Sequence, residues 1–286
     1  MNNKPIIALT MGDGAGVGPE IIVQALADPE VYEHCRPFVV GDLKILQRAE
    51  SIWKTGCRFH KIEAPSQALF GCGVIDCLDL DLLPADLPFG QLSAAAGDAA
   101  YRYVEKAVRL ALAGEIDAIC TAPLNKEALH LGGHNYPGHT EILAELTGAE
   151  RYGMMFTSDE LNVILATIHV GLRESIDLIT PDRIYDTLVL ARGAMKRKLG
   201  GKEPRIAICG LNPHAGENGL FGDGEEERCI VPGIERARAE GMDVTGPIPA
   251  DTAFYRARSG RQVSPERGFF RKGFDGRPRL RLRAIG

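Results

Sequence analysis

Short apolar runs alternate with longer amphipathic stretches through the first part of the chain, and this alternation constrains the fold more than any other feature. Residues 5–11, 37–41 and 118–121 have the length and aliphatic content of buried strands. Residues 94–113 repeat apolar side chains at helical spacing before the last of these strands. Strands that are separated by helices pair in parallel, because the helix provides the crossover. The sequence therefore predicts an α/β fold in which helices cover a mostly parallel sheet.

Composition sets further limits on the class of protein. Of the 286 residues, 45% are hydrophobic and 25% are charged, which is enough apolar material for one large domain or two smaller ones. No apolar run approaches the roughly 20 residues that a membrane-spanning helix needs, and the first residues lead directly into a strand, so we expect a cytoplasmic protein. The seven cysteines are scattered without a Cys-x-x-Cys pair, which argues against a zinc or redox motif.

Charge is divided unevenly along the chain. Residues 258–286 carry a net charge of +7, whereas residues 1–257 carry −12. The acidic part argues against nucleic acid as a partner of the main body. The basic part has no clear periodicity, and we interpret it as a disordered or out-of-frame tail; a natural basic tail that contacts nucleic acid or a membrane is the alternative. We therefore separate a main α/β region, residues 1–257, from a tail, residues 258–286.

Two histidines follow predicted strands. Residues 206–209 form a short apolar run that turn-forming residues interrupt, and His214 lies in that turn. Residues 161–168 form a longer apolar run that ends at His169. We expect the two strands to end at the same edge of one sheet, where ligands of open α/β sheets bind, so both imidazoles are candidates for a shared divalent metal. A loop histidine without chemistry is the alternative for His214. A catalytic metal site normally has three protein ligands, and these two residues do not complete one.

Glycine-rich segments precede two of the predicted helices. Residues 12–20 place four glycines and a proline between a strand and a helix, an arrangement that can hold an anion through backbone N–H groups. Their spacing differs from the dinucleotide-binding fingerprint, so contact with a ligand and a purely structural turn both stay open. Residues 132–141 surround His139 and Thr140 with glycines. We predict that Thr140 is the N-cap of a helix over residues 142–146 and that this backbone approaches a ligand.

A carboxylate, Asp251, follows a segment rich in proline and glycine at residues 246–250. Two interpretations stay open for it. The side chain either caps the following segment or faces the histidines, where it would order a metal ligand, bind the metal or serve as a base.

Five motifs occur in a fixed order along the chain. They are Gly-Asp-Gly-Ala-Gly-Val-Gly-Pro-Glu, Pro-Gly-His-Thr-Glu, Ala-Thr-Ile-His-Val, Cys-Gly-Leu-Asn-Pro-His-Ala-Gly-Glu and Gly-Pro-Ile-Pro-Ala-Asp-Thr. Together they resemble the 4-hydroxythreonine-4-phosphate dehydrogenase family, which includes relatives that act on threonate or erythronate 4-phosphate. The resemblance implies an isocitrate/isopropylmalate dehydrogenase-like fold: two interleaved α/β subdomains with a cleft between them, in a homodimer whose sites lie at the interface.

The resemblance also implies a reaction. It is the metal-dependent, NAD(P)-linked oxidation and decarboxylation of 4-phosphohydroxythreonine to 3-amino-2-oxopropyl phosphate, a step of vitamin B6 biosynthesis. A D-threonate or D-erythronate 4-phosphate dehydrogenase is the alternative, and an inactive phosphate-ligand binder or an acyl-phosphate transferase is the alternative of another class. No ribose-reading residue can be placed, so NAD and NADP both stay open, as do zinc, magnesium, manganese and cobalt for the metal.

Residue roles come from the same motif match. The resemblance implies that His169 and His214 are metal ligands, one of them contributed across the dimer, and that His139 and Thr140 bind substrate. Asp251 becomes a candidate catalytic residue near the metal. The family's third metal histidine belongs to a Tyr-His-Asp-Gln-Gly stretch expected soon after residue 257, but this sequence has no histidine after His214.

Overall fold

The computed structural model describes residues 4–259, which divide into two compact units at the bond between Glu150 and Arg151. The predicted tail at residues 258–286 therefore lies outside the described residues, except for the last two residues of the final helix. None of the helices in the described part of the chain is both long and apolar enough to cross a membrane.

The first unit is built on a five-stranded sheet whose paired strands all run parallel, as the sequence predicts. Its strands, in the spatial order β3-β4-β2-β1-β5, are β1 (Ile6–Thr10), β2 (Arg36–Gly41), β3 (Arg58–Ile62), β4 (Val74–Asp79) and β5 (Ala118–Thr121). Its helices are α1 (Gly18–Leu26), α2 (Pro29–His34), α3 (Leu43–Trp53), α4 (Ala94–Leu112), α5 (Lys126–Leu131) and α6 (His139–Thr147).

The core of the first unit lies against the central strands. Phe38, Val39 and Val40 of β2 are completely buried, because β1 and β4 flank this strand and helices cover it. Tyr103 of α4 is also completely buried in this core. A strand that is buried on both faces reads as a continuous apolar run, which explains why the sequence locates β2 well.

The second unit contains two small sheets within its described residues. Strands β6 (Met155–Thr157) and β7 (Asn162–Ile164) pair antiparallel, whereas β8 (Arg205–Cys209) and β9 (Asp243–Ile248) pair in parallel. Its helices are α7 (Leu172–Asp177), α8 (Pro181–Lys198), α9 (Val231–Ala239) and α10 (Ala250–Ser259), and a π-helical turn at Glu226–Ile230 leads into α9. A small core of α8, α9 and β9 side chains, including Leu188, Ile234 and Val244, holds this unit together.

The structure corrects two predicted elements. The strand expected at residues 161–168 covers only β7, because the chain bends after Leu165, and Ala166 O accepts a hydrogen bond from Arg183 instead of joining a ladder. As a result β7 and β8 lie in separate sheets within the described residues. The N-cap of α6 is Gly138, not Thr140, so this helix begins three residues earlier than predicted.

Candidate functional site

The turn after β8 presents His214 to solvent. Its side chain is 70% exposed, and Nδ1 lies 3.6 Å from Oε2 of Glu217. The backbone has positive φ at six consecutive residues, from 56° at His214 and 54° at Ala215 to 57° at Asn218 and 87° at Gly219. Such a run is uncommon for residues other than glycine, and it points to a turn that its surroundings hold in place.

The group that holds this turn is Glu226, which the sequence analysis missed. This residue is 1% exposed. Oε1 accepts the backbone N–H groups of Leu211 at 2.9 Å and Asn212 at 2.7 Å, and Oε2 accepts Nδ2 of Asn212 at 2.9 Å. Burial by itself would raise the pKa of this carboxyl, but the hydrogen bonds from Asn212 and Leu211 outweigh burial and bring the pKa below its usual range. Glu226 is therefore a carboxylate at neutral pH.

Asp251 reaches the same edge of the β8–β9 sheet as the His214 turn. The two strands are parallel, with Cys209 paired to Ile248, so their carboxyl ends lie together. Asp251 is the second residue of α10, its side chain is exposed, and Oδ1 accepts the N–H of Thr252 at 2.7 Å. The structure thus brings the His214 and Asp251 loops to one edge, as ligand sites of parallel sheets require.

His169 lies outside the β8–β9 sheet. It lies in the bent segment between β7 and α7, its side chain is exposed, and its backbone is left-handed with a φ of 56°. The expectation that His169 and His214 end two strands of one sheet is therefore wrong for the described residues. Residues 4–259 contain no group of three His, Cys, Asp or Glu side chains arranged to hold a metal ion. These residues by themselves do not complete a metal centre.

His139 and Thr140 are the first two residues of α6, in the first unit. The side chain of His139 is half-buried, and its Nε2 atom is buried without a hydrogen-bond partner. Burial lowers the pKa of the imidazole below its usual value, so the ring is neutral at pH 7. Because Gly138 provides no side-chain cap, the first-turn N–H groups of α6 are suited to an anion.

Packing inside the protein accounts for several glycines that the sequence analysis linked to ligands. A Cβ on Gly12 would lie 2.3 Å from Pro123 O, and one on Gly18 would lie 2.4 Å from Met11 O. Gly132 approaches α4 in the same way, since its Cβ would lie 2.5 Å from Asp98 N. These positions need glycine for close backbone contact, whether or not a ligand binds.

Comparisons with known proteins agree with one another. The sequence profile of the family described as "Pyridoxal phosphate biosynthetic protein PdxA" matches residues 33–263. The D-threonate 4-phosphate dehydrogenase of Cupriavidus necator is 53% identical over 256 residues, which are 90% of this chain and 77% of that protein. A putative D-threonate 4-phosphate dehydrogenase of Oceanobacillus iheyensis is 52% identical over 261 residues, covering 91% of this chain and 78% of the relative.

Solved structures give the same picture. A 4-hydroxythreonine-4-phosphate dehydrogenase from Burkholderia phymatum superposes with a TM-score of 0.81 at 54% identity, covering 92% of this chain and 79% of that one. The corresponding protein from Klebsiella pneumoniae gives a TM-score of 0.83 at 44% identity, covering 91% and 78%. At these identities the likeness shows that the chain has the fold of these dehydrogenases.

Proposed function

Because this chain belongs to the family of the pyridoxal phosphate biosynthetic protein PdxA, whose members are NAD(P)-dependent oxidoreductases, we propose that it oxidises the secondary alcohol of a phosphorylated four-carbon hydroxy acid. The first candidate substrate is D-threonate 4-phosphate. The observation that supports this choice is the 53% identity to a relative of that name over 90% of the chain. The 54% identity to a structure described as a 4-hydroxythreonine-4-phosphate dehydrogenase favours 4-phosphohydroxythreonine as the second candidate.

The chemistry of the proposed reaction is an oxidation followed by a decarboxylation. An oxidised nicotinamide, when bound, would accept the hydride of the alcohol carbon, and the hydroxyl group gives its proton to a base of this chain. The resulting β-keto acid loses carbon dioxide. A divalent cation would supply Lewis acidity at the alcohol oxygen, and we propose His169 and His214 as two of its ligands, one of them across a homodimer. We assign the base to Asp251, whose exposed carboxylate lies at the same sheet edge as the His214 turn.

The amino end of α6 is the proposed anchor for an anionic group of the substrate. The uncapped N–H groups of the first turn and the positive end of the helix dipole both favour a phosphate or carboxylate. The neutral imidazole of His139 can donate a hydrogen bond to that anionic group, and a neutral ring avoids the cost of burying a charged one. The Thr140 hydroxyl, on the next residue of the same turn, supplies a second donor.

Turnover by the purified chain tests the proposal. NAD(P)H formation is measured with each cofactor, with added divalent cation, on D-threonate 4-phosphate and on 4-phosphohydroxythreonine. His214→Asn should lower kcat/KM by at least about 100-fold, because asparagine tolerates the left-handed backbone but removes the imidazole. His34→Asn, at an exposed position of α2, is the matched control and should leave turnover unchanged. Absence of NAD(P)H formation on both substrates would refute the proposed reaction.

A further inference from the structure

The carboxylate of Glu226 lies at the centre of the turn that carries His214. It accepts three hydrogen bonds from the residues that open this turn, at 2.7 to 2.9 Å. Asn212 makes two of them and also donates to Glu225 at 2.8 Å. Hydrogen bonds to a buried carboxylate are among the stronger ones in proteins, so this group determines where the turn begins.

The two glycines of the turn leave room for the same carboxylate. A Cβ on Gly216 would lie 2.9 Å from Oε2 of Glu226, and one on Gly210 would lie 3.3 Å from Oε1. Gly210 also approaches the backbone of Ala215, where its Cβ would lie 2.6 Å from Cα. On one side of His214, Gly210 therefore packs against Ala215 and Glu226. On the other side, Gly216 packs against Glu226.

The backbone of the turn would not keep its conformation unaided. A residue other than glycine in the left-handed region costs on the order of 1 kcal/mol. Four of the six positive-φ residues of this turn are of that kind: His214, Ala215, Glu217 and Asn218. His214 is exposed, so its own side chain does little to fix the turn. Backbone hydrogen bonds within the turn, such as Ala215 N–H to Asn212 O, contribute to its conformation, and Glu226 adds the buried side chain that fixes its first residues.

From these observations we propose that Glu226 is a positioning residue that holds the His214 imidazole in its working orientation. The inference rests on the proposed function for its catalytic consequence, but the structural effect on His214 can be measured separately. A simpler role, in which Glu226 only stabilises the fold of the second unit, predicts a general loss of stability and no specific change at His214. The experiment must separate these two roles.

The variants are Glu226→Gln and a matched control, Glu227→Gln, which removes the same charge from the exposed neighbour. In Glu226→Gln one carboxylate oxygen becomes an NH₂ group, so either both backbone N–H groups, of Leu211 and Asn212, or Asn212 Nδ2 lose their acceptor. Asn212→Ala is a milder second variant, because it removes only the side-chain bonds and leaves both backbone N–H groups with their acceptor.

The primary measurement is the NMR spectrum of the imidazole Cε1–H groups of the full chain, which has seven histidines; His214→Asn assigns the relevant signal. We expect Glu226→Gln to shift or broaden the His214 signal and to leave the other six in place, with a smaller change in Asn212→Ala and none in Glu227→Gln. An unchanged His214 signal in both Glu226→Gln and Asn212→Ala would overturn the proposal. Changes spread over all seven signals would also overturn it, since they indicate a general structural role.

Kinetics give the second measurement. Glu226→Gln should lower kcat at least about tenfold with little change in the KM for the nicotinamide cofactor, and it should have no further effect in the His214→Asn background. Equal losses in both backgrounds would contradict action through His214. If the wild-type chain has no turnover but the His214 signal responds as expected, the proposed reaction fails while the positioning of His214 by Glu226 stands.

Discussion

Gly97 and Gly193 both lie inside long helices, but a methyl group would meet different surroundings at each. At Gly97 of α4 a Cβ would lie 1.8 Å from Ala128 O, in the backbone of α5. At Gly193 of α8 the nearest atom would be Arg197 Nη1, at 3.9 Å. The contact at Gly97 is with backbone, which cannot rotate away, so the two helices have to separate.

We therefore expect Gly97→Ala to lower the free energy of unfolding by about 2 kcal/mol or more, although alanine is the better helix former. Gly193→Ala is the control, and it should be neutral or stabilising by up to about 1 kcal/mol. Thermal and urea unfolding followed by circular dichroism measures both. A Gly97→Ala protein as stable as the wild type would contradict the close packing of α4 on α5.

His214 and Glu226 show which features of the turn the sequence predicts and which it does not. The turn after β8 and the place of His214 in it follow from an apolar run and its turn-forming residues, and the structure agrees. Glu226 could not be found in this way, because it stands between Glu225 and Glu227, and three successive carboxylates are typical of a solvated segment. Only the folded chain shows that one of them is buried under the turn.

Helix ends are a property of elements, and Ser93 shows their effect on stability. Its Oγ accepts the N–H of Ala96 at 3.3 Å at the start of α4. Ser93→Ala should therefore cost about 1 kcal/mol, measured by urea unfolding, because one N–H of the first turn loses its acceptor. Ser51→Ala in α3 is the matched control: this hydroxyl is exposed and donates to Arg48 O, so its removal should change stability by less than about 0.5 kcal/mol. Equal effects of the two substitutions would rule out a capping role for Ser93.

Elements differ in how well a sequence predicts them. The helix α4 has a long apolar period, predicted over residues 94–113, and the structure gives it as Ala94–Leu112. The run at residues 161–168 is equally apolar, but it forms a strand over only three residues. The length of an apolar run indicates that a segment packs against the protein, but it does not indicate where a strand ends. A strand ends where its partner strand ends, and β6, the partner of β7, is only three residues long.

At the scale of the whole molecule the two units differ in how deeply their sheets are buried. Five of the six residues of β2 are buried, and this strand has a neighbour on each side. In β8 none of the five residues is fully buried, and within residues 4–259 it pairs with β9 alone. Local sequence patterns predict both strands equally well, but they do not predict this difference in burial. Burial depends on contacts between distant parts of the chain, which a local pattern does not contain.

This difference predicts unequal hydrogen exchange. Amide groups open more often where few apolar contacts cover the backbone, so peptides from β8 should exchange at least about tenfold faster than peptides from β2. Hydrogen–deuterium exchange followed by mass spectrometry measures both strands in one sample.

The same experiment over a range of protein concentrations tests the proposed homodimer. A second copy that covers the sheet of the second unit would slow amide exchange in β8 as the protein concentration rises, and it would leave exchange in β2 unchanged. Equal protection of the two strands at the lowest concentration would contradict the difference in burial, because the first unit's core would then no longer be the better protected one.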